Sequence, residues 1–334
     1  LGDFRTLRNG PHRFFAEVAE QGGGAGLFRI FWRTGLAVAD RDLARRVLVT
    51  EASQFVKGRI YQNLLMLLGP GLVTLSGTPW KKHRRVVQPG FHRKAMDHLC
   101  HAVEEATSHR LKIAAERGNR LEVVRDMRAI SQQIISEVLL GTPVEMLVEA
   151  KFTEAFLQGE GLIMRKNWSP IPWPDWAPTP VNRKLRRIHR VVCEFLESRV
   201  RARLESGLGE HGDMLDLLLL SLEDPNGQGL SREHVIGEMG TLFSAGYETT
   251  ASALSWSCYR LAGRPDIQDR MYAEIRSVLG GRPAGLETME RLEFTGQVFN
   301  EALRLHPPIP NISRTAVEDS MWNQYTIPAG TEII

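Results

Sequence analysis

The chain has 334 residues, 43% hydrophobic and 24% charged, with a formal net charge of +3, which argues against disorder as the default and leaves ample apolar surface for a large core, as one big domain or two smaller ones. No block of five or six like charges occurs, so a nucleic-acid arm is not expected. Cys100, Cys193 and Cys258 stand far apart without a Cys-x-x-Cys pair, which argues against a zinc cage or a disulfide framework and favours a reducing cytoplasm.

The N-terminus, Leu1-Gly2-Asp3-Phe4, has no initiator Met and none of the basic and apolar regions of a signal peptide, so a preceding piece is expected to be missing and membrane association stays open. Strand signals come first at Leu27 to Trp32 and Leu36 to Ala39, around Arg33-Thr34-Gly35. The middle is helical: apolar residues recur at helix spacing through Met96, Leu99, Val103, Ala106 and Leu111, then Ile130, Ile134, Ile135, Val138 and Leu139. Stops are legible at Gly118, Gly141, Gly207 and Gly263-Arg264-Pro265, and starts at Thr78-Pro79, Ser231 and Pro265-Asp266. From Trp168 to Pro180 three tryptophans (Trp168, Trp173, Trp176) stand among five prolines, a loop that cannot be helix. Ser231 to Gly263 contains no proline and predicts a helix about 50 Å long at 1.5 Å per residue. Met239 to Tyr259 within it approaches membrane-spanning length, but Glu248, Gly240, Gly246 and its hydroxyl residues mark a buried core helix. Short strands are expected again at Ile312 to Ala316 and Tyr325 to Ile334. The expected architecture is mainly α with a small β lobe: one domain over 1–334, β-rich at about 25–40 and 311–334, helical over about 78–306.

Four constellations carry chemistry. Ala245-Gly246-Tyr247-Glu248-Thr249-Thr250 interrupts the long helix. Glycine there weakens the helix by about 1 kcal/mol relative to alanine and lets another group approach the backbone, while Thr249 can bond back to a carbonyl one turn earlier. An acid and a hydroxyl in such a notch can pass protons; close helix packing at Gly246 is the alternative. Glu301-Ala302-Leu303-Arg304 places a carboxylate and a guanidinium on one face at i and i+3, as a structural or a solvated pair. Trp80, His83 and Arg84 share a face at i, i+3 and i+4 and offer an indole, an imidazole and a guanidinium fork to a carboxylate-bearing cofactor. Solvated charge beside a core Trp80 is the other reading. Finally, Pro307, Pro308 and Pro310 hold Ile309 and Ile312 extended toward a ligand, with Arg314 toward an anion.

Identity, order and spacing of these motifs together resemble the cytochrome P450 family over nearly the whole chain. Trp80-x-x-x-Arg84, Ala245-Gly246-x-Glu248-Thr249-Thr250 and Glu301-x-x-Arg304 are similar to three of its helical motifs. Gly71-Leu72-Val73-Thr74-Leu75, Asp213-Met214-Leu215-Asp216 and Ile327-Pro328-Ala329-Gly330 match between them. The resemblance implies a haem cofactor whose propionates bind Trp80, His83, Arg84 and Arg314, with Ala245 and Gly246 on the oxygen side. Thr249 would bond the iron-bound peroxo group, Glu248 would relay protons, and Glu301 and Arg304 would form a structural pair. The family's Phe-x-x-Gly-x-x-x-Cys-x-Gly loop is absent through Ile334, 30 positions past Arg304. No metal ligand is therefore assigned. The axial cysteine is expected beyond Ile334, the three cysteines present are read as buried small hydrophobes, and the chain by itself is expected to hold little haem and to show no thiolate spectrum.

The reaction so implied is insertion of one atom of O2 into a hydrophobic substrate, by hydroxylation or epoxidation. Ile60, Tyr61, Leu64, Phe243, Ile309 and Ile312 are candidate contacts for a fatty acid, terpenoid, steroid-like or aromatic compound. The resemblance makes the Trp/Pro loop an access lid. It also makes Lys81, Lys82, Arg85, Arg93 and Lys94 a docking face for a ferredoxin, flavodoxin or flavoprotein reductase that brings electrons from NADPH. A soluble, bacterial-type, cytoplasmic monomer is expected. Two alternatives remain open at this point: a peroxygenase or isomerase on the same scaffold, and a haem-free, non-catalytic helical fragment or binding protein.

Overall fold

The computed structural model describes residues 10–30, 33–167, 169, 171, 173–209, 213–223, 229–323 and 325–334. In chain order it contains α1 (Pro11–Gln21), β1 (Ala25–Ile30), β2 (Arg33–Val38), α2 (Arg41–Arg45), β3 (Phe55–Lys57), α3 (Arg59–Leu68), α4 (Gly77–Val87), α5 (Arg93–Glu116), α6 (Val123–Leu140), α7 (Val144–Glu149), α8 (Phe152–Asn167) and α9 (Pro180–Ser206). There follow α10 (Met214–Leu220), α11 (Arg232–Ala262), α12 (Pro265–Leu279), α13 (Leu286–Met289), α14 (Glu293–Leu305), β4 (Arg314–Ala316), β5 (Ser320–Trp322), β6 (Tyr325–Ile327) and β7 (Glu332–Ile333). Two compact units result, one of Leu1–Lys81, Ala155–Val192 and Pro310–Ile334, the other of Lys82–Glu154 and Cys193–Ile309. Trp32 and Trp168 lie outside the described residues, as do the side chains of Arg93, Lys94 and Met96.

The first unit is built on a five-stranded sheet in the order β1-β2-β7-β4-β3, with β5-β6 as a separate pair. Alternation decides its faces: Phe28 and Ile30 are buried, whereas Leu27 is 73% exposed. The hairpin expected from the sequence forms, but its turn does not lie at Arg33-Thr34-Gly35. Arg33 pairs with Ile30 and Gly35 with Phe28. Gly35 is a strand residue whose missing side chain leaves room for the Phe28 ring, and a Cβ there would also stand 2.8 Å from the Glu332 carbonyl oxygen. One core cluster holds Ala25, Leu36, Leu43, Phe55 and Ile333; another holds Phe14, Phe15, Phe28 and Ala37. The strand set expected over Tyr325 to Ile334 is divided between the two sheets, because Pro328 and the positive φ of Gly330 turn the chain between β6 and β7.

The Trp/Pro loop of the same unit is tied at its base. Asn182, 1% exposed, donates from its side-chain nitrogen to the carbonyls of Pro174 (2.9 Å) and Ala177 (3.0 Å). Lys166 reaches the Asn182 side-chain oxygen at 3.0 Å, the Trp173 carbonyl at 3.2 Å and the Asp175 carboxylate at 2.9 Å. Two buried polar side chains thus satisfy backbone acceptors that a proline-rich loop cannot satisfy by itself.

The second unit is helical and is organised around α11. Ser231 caps its start and Gly263 its end, as the sequence indicates. Its 31 residues span about 46 Å. Phe243 of α11 meets Phe152 edge-on at 4.8 Å and stacks on Tyr247 at 5.7 Å. A buried ion network locks another corner of this unit: Arg203 of α9 bonds Asp213 at 2.8 Å and Asp216 at 2.6 Å, and Asp213 caps α10 through the Asp216 N–H. Gly141, left-handed at φ 54°, ends α6 where a side chain would collide with the Arg203 guanidinium. Among the described residues no helix is long and apolar enough to cross a membrane.

Replacing Arg203 by Met leaves two buried carboxylates without their guanidinium, so a loss of about 3–5 kcal/mol is expected. Urea unfolding checks this, and a loss below about 1 kcal/mol would mean that the corner relaxes to admit water.

Candidate functional site

A helix buried on most sides tolerates polar groups only where each finds a partner. On α11 the Thr249 hydroxyl folds back onto the Ala245 carbonyl, the bond expected from the sequence. Ala245 is exposed and Thr249 half-buried, so this turn presents a small side chain and a hydroxyl on an open face. Gly246 faces elsewhere. A Cβ there would lie 2.7 Å from Cδ1 of Ile135, so the glycine is explained by the approach of α6. The packing alternative therefore accounts for Gly246, and Ala245 is the residue on the open side.

Glu248 does not stand alone beside Thr249. One carboxylate oxygen accepts from Arg128 of α6 at 2.7 Å, with both side chains partly exposed. The other oxygen is buried and has no hydrogen-bond partner among the described residues. The pair orients the carboxylate through one oxygen and leaves the other without a partner, which suits a group that must accept a hydrogen bond from a neighbour.

The trio Trp80, His83 and Arg84 is divided. Arg84 is exposed and Trp80 half-buried on α4, but His83 is turned inward and is 0% exposed. Its Nδ1 lies 2.6 Å from Oε2 of Glu238, itself 0% exposed, and its Nε2 lies 2.8 Å from Nδ1 of His234. Both ring nitrogens are engaged, so His83 does not extend toward a cofactor carboxylate together with Arg84. The physical reason is the buried Glu238, which demands a proton donor at that point of the interior.

Phe243 is likewise corrected: it is fully buried in the aromatic stack and not displayed to a substrate. Ile309 is 60% and Ile312 45% exposed. Within the first unit Ile60, Tyr61 and Leu64 are half-buried along α3, and the Arg314 guanidinium lies 5.9 Å from the Tyr61 ring centre. Arg314 and Ile312 also line a cavity of about 330 Å³ with Phe15, Val47 and His12. Glu301 and Arg304 make a bidentate pair at 2.6 and 2.7 Å; both are well exposed, so solvent screens the pair and it adds little to stability.

Burial, with further contributions from nearby Glu197, Glu194 and Glu233, raises the Cys193 thiol to about 11. Burial also raises Cys258. Neither is disposed to ionise as an iron ligand. All three cysteines are half-buried and not fully buried as the sequence suggests, Cys258 packing beside Ala106, Met127 and Ile130.

With this geometry in view, a family model described as Cytochrome P450 matches residues 1–334. The chain belongs to the cytochrome P450 family. Across its full length it is 31% identical to a cyclooctat-9-en-7-ol 5-monooxygenase of Streptomyces melanosporofaciens, covering 72% of that protein. It is 28% identical to a leukotriene-B4 omega-hydroxylase of Mus musculus over 88% of the chain, covering 61% of the relative. It spans 55% of the LUTEIN DEFICIENT 5 protein of Arabidopsis thaliana, at 26% identity. Among solved structures the haem domain of cytochrome P450DA superposes with a TM-score of 0.82 at 27% identity, over 97% of this chain and 71% of that one. The fold is thus the mainly helical cytochrome P450 fold with a small β region, and the family's relatives are oxidoreductases of the monooxygenase type.

Sequence reasoning missed Arg128, Glu238 and His234. His234 and Glu238 stand at i and i+4 on a helix that the sequence locates correctly, so their shared face was legible; what packs on it was not. Burial, followed by the proximity of His83, holds His234 below the ordinary imidazole range, with Lys82 acting in the same sense and Glu233 and Glu238 opposing. The unfolded chain therefore binds this proton first on acidification, and stability is expected to fall as pH drops through about 6.5. A profile of Tm against pH checks it: His234→Gln should flatten that limb.

Proposed function

We propose that the chain is the haem-binding, oxygen-activating part of a monooxygenase for a hydrophobic organic compound. The observation that carries this reading is the open turn of α11, where the Thr249 hydroxyl bonds the Ala245 carbonyl next to a carboxylate held by Arg128. Each unit by itself carries chemistry that a macrocycle with acid groups would use: the helical unit has the small Ala245 side chain and the exposed Arg84 guanidinium, and the first unit has half-buried Trp80 and Arg314. Burial keeps the Cys193 and Cys258 thiols protonated, so neither is suited to ligate iron.

When bound, haem supplies the binding and reduction of O2. The Thr249 hydroxyl gives its hydrogen to the Ala245 carbonyl, so its oxygen lone pairs remain free to accept a further hydrogen bond on the open face. Glu248 exchanges protons with solvent and returns them on the Thr249 side, and Arg128 orients its carboxylate. Half-buried Ile60, Tyr61 and Leu64 and exposed Ile309 and Ile312 favour an apolar substrate. A cyclic hydrophobic alcohol, like the compound named for the Streptomyces relative, is the first class to test. Lys81 and Arg85, both exposed on α4, suit an acidic ferredoxin, flavodoxin or flavoprotein as electron donor.

Haemin titration, read at the Soret band, tests the cofactor assignment. Arg84→Ala and Arg314→Ala each remove a charge-assisted bond of about 1.5–3 kcal/mol, so affinity should fall about ten- to hundredfold per variant. Unchanged haemin affinity in both variants would remove the support for these residues as carboxylate ligands.

A further inference from the structure

Three ionisable side chains of the helical unit form an unbroken hydrogen-bonded file that the oxygen chemistry does not use. His234, half-exposed on the first turn of α11, offers Nδ1 to Nε2 of His83 at 2.8 Å. His83 offers Nδ1 to Oε2 of Glu238 at 2.6 Å. The two rings lie 4.9 Å apart, and the last two members of the file are completely buried. A structural clamp for a buried carboxylate needs only His83. The second imidazole extends the file to the surface.

The file also points along the helix. At 100° per residue, His234, Glu238, Thr241, Ala245 and Thr249 fall within a sector of about 80°, rising about 22 Å from first to last. Thr241 is the next hydroxyl on this face after Glu238. It is 1% exposed, and its Oγ1 has no hydrogen-bond partner among the described residues. A buried, unsatisfied hydroxyl is destabilising unless it takes part in something further.

We propose that His234, His83 and Glu238 form a proton relay from solvent to the buried polar face of α11, ending one turn short of Thr241. Its use in supplying the Thr249 turn rests on the function proposed above; the relay itself does not. A proton from water binds Nε2 of His234, and the proton on its Nδ1 passes to Nε2 of His83. The proton on Nδ1 of His83 then passes to Oε2 of Glu238, converting the carboxylate to the neutral acid. One proton enters and one arrives with no heavy atom moving; the reverse sequence carries that proton back to solvent, whereas repeated inward delivery requires each imidazole to turn over and restore its Nδ1–H tautomer after Glu238 has passed its proton on. The charged and titratable groups around the entry are Lys82 and Glu233, beside His83 and Glu238 themselves.

The test is a pH jump on the cofactor-free chain, followed by infrared spectroscopy of the protonated carboxyl stretch, which is assigned to Glu238 by its loss in Glu238→Gln. The band is expected to grow on acidification. His83→Asn should slow its rise by at least about tenfold, and His234→Ala by a smaller factor. Circular dichroism verifies that each variant is folded. If His83→Asn does not fold, the His234→Ala rate decides, since that residue lies at the surface. Wild-type rates in the folded variants, or a Glu238 that keeps one protonation state from about pH 4 to 9, would make the file a static clamp and overturn the relay. Because the measurement needs no haem, its outcome is independent of haemin binding by Arg84 and Arg314.

Discussion

A long helix that is buried on most of its surface must either be apolar all round or bring a partner to each polar group it carries, and α11 takes the second course. Glu238 is met by His83 of α4, Glu248 by Arg128 of α6, and the Thr249 hydroxyl by a carbonyl of its own helix. The demand is strongest at Glu238, which is completely buried and would be strongly destabilising without a donor; the partly exposed Glu248 and the neutral Thr249 hydroxyl demand less. The placement of α4 and α6 is thereby coupled to the chemistry of α11. The same elements that complete the core of the helical unit also determine which oxygens remain available for proton exchange.

The division of labour along this helix follows from its geometry. Gly246 is turned to α6, where its lack of a side chain admits Ile135. Ala245 is turned to the open side, and the residues four apart on that side, Thr241, Ala245 and Thr249, form one line. A single turn can thus be narrow on one face for packing and open on the other for a ligand. In the first unit the comparable device is the tied loop. Asn182 and Lys166 satisfy the carbonyls of Trp173, Pro174 and Ala177, in a segment where proline removes so many donors.

Much of the architecture was readable before any coordinates. Ser231 and Gly263 bracket α11 because capping is a local property of the chain ends of a helix. The positive φ of Gly118, Gly141 and Gly207 is a demand that few other residues meet. The position of the hairpin turn was misread because Gly35 resembles a turn residue; only its pairing with Phe28 and the approach of β7 reveal a strand glycine. Where the motifs lie was also legible, since Glu248 and Thr249 are adjacent and Glu301 and Arg304 share a helix face.

Which side chains meet across helices was not legible. His83 shares a helical face with Trp80 and Arg84 on paper, yet the electrostatic demand of Glu238, 155 residues away in sequence, draws it inward and leaves Arg84 outside. Phe243 looks like a ligand contact from its neighbourhood in the chain, but Phe152 and Tyr247 enclose it. By itself the sequence determined the elements, their ends and the identity of the reactive groups, because propensity, capping and periodicity act within a few residues. The tertiary structure decided which of those groups are buried, satisfied or open, because these properties depend on neighbours that only packing brings within hydrogen-bonding distance.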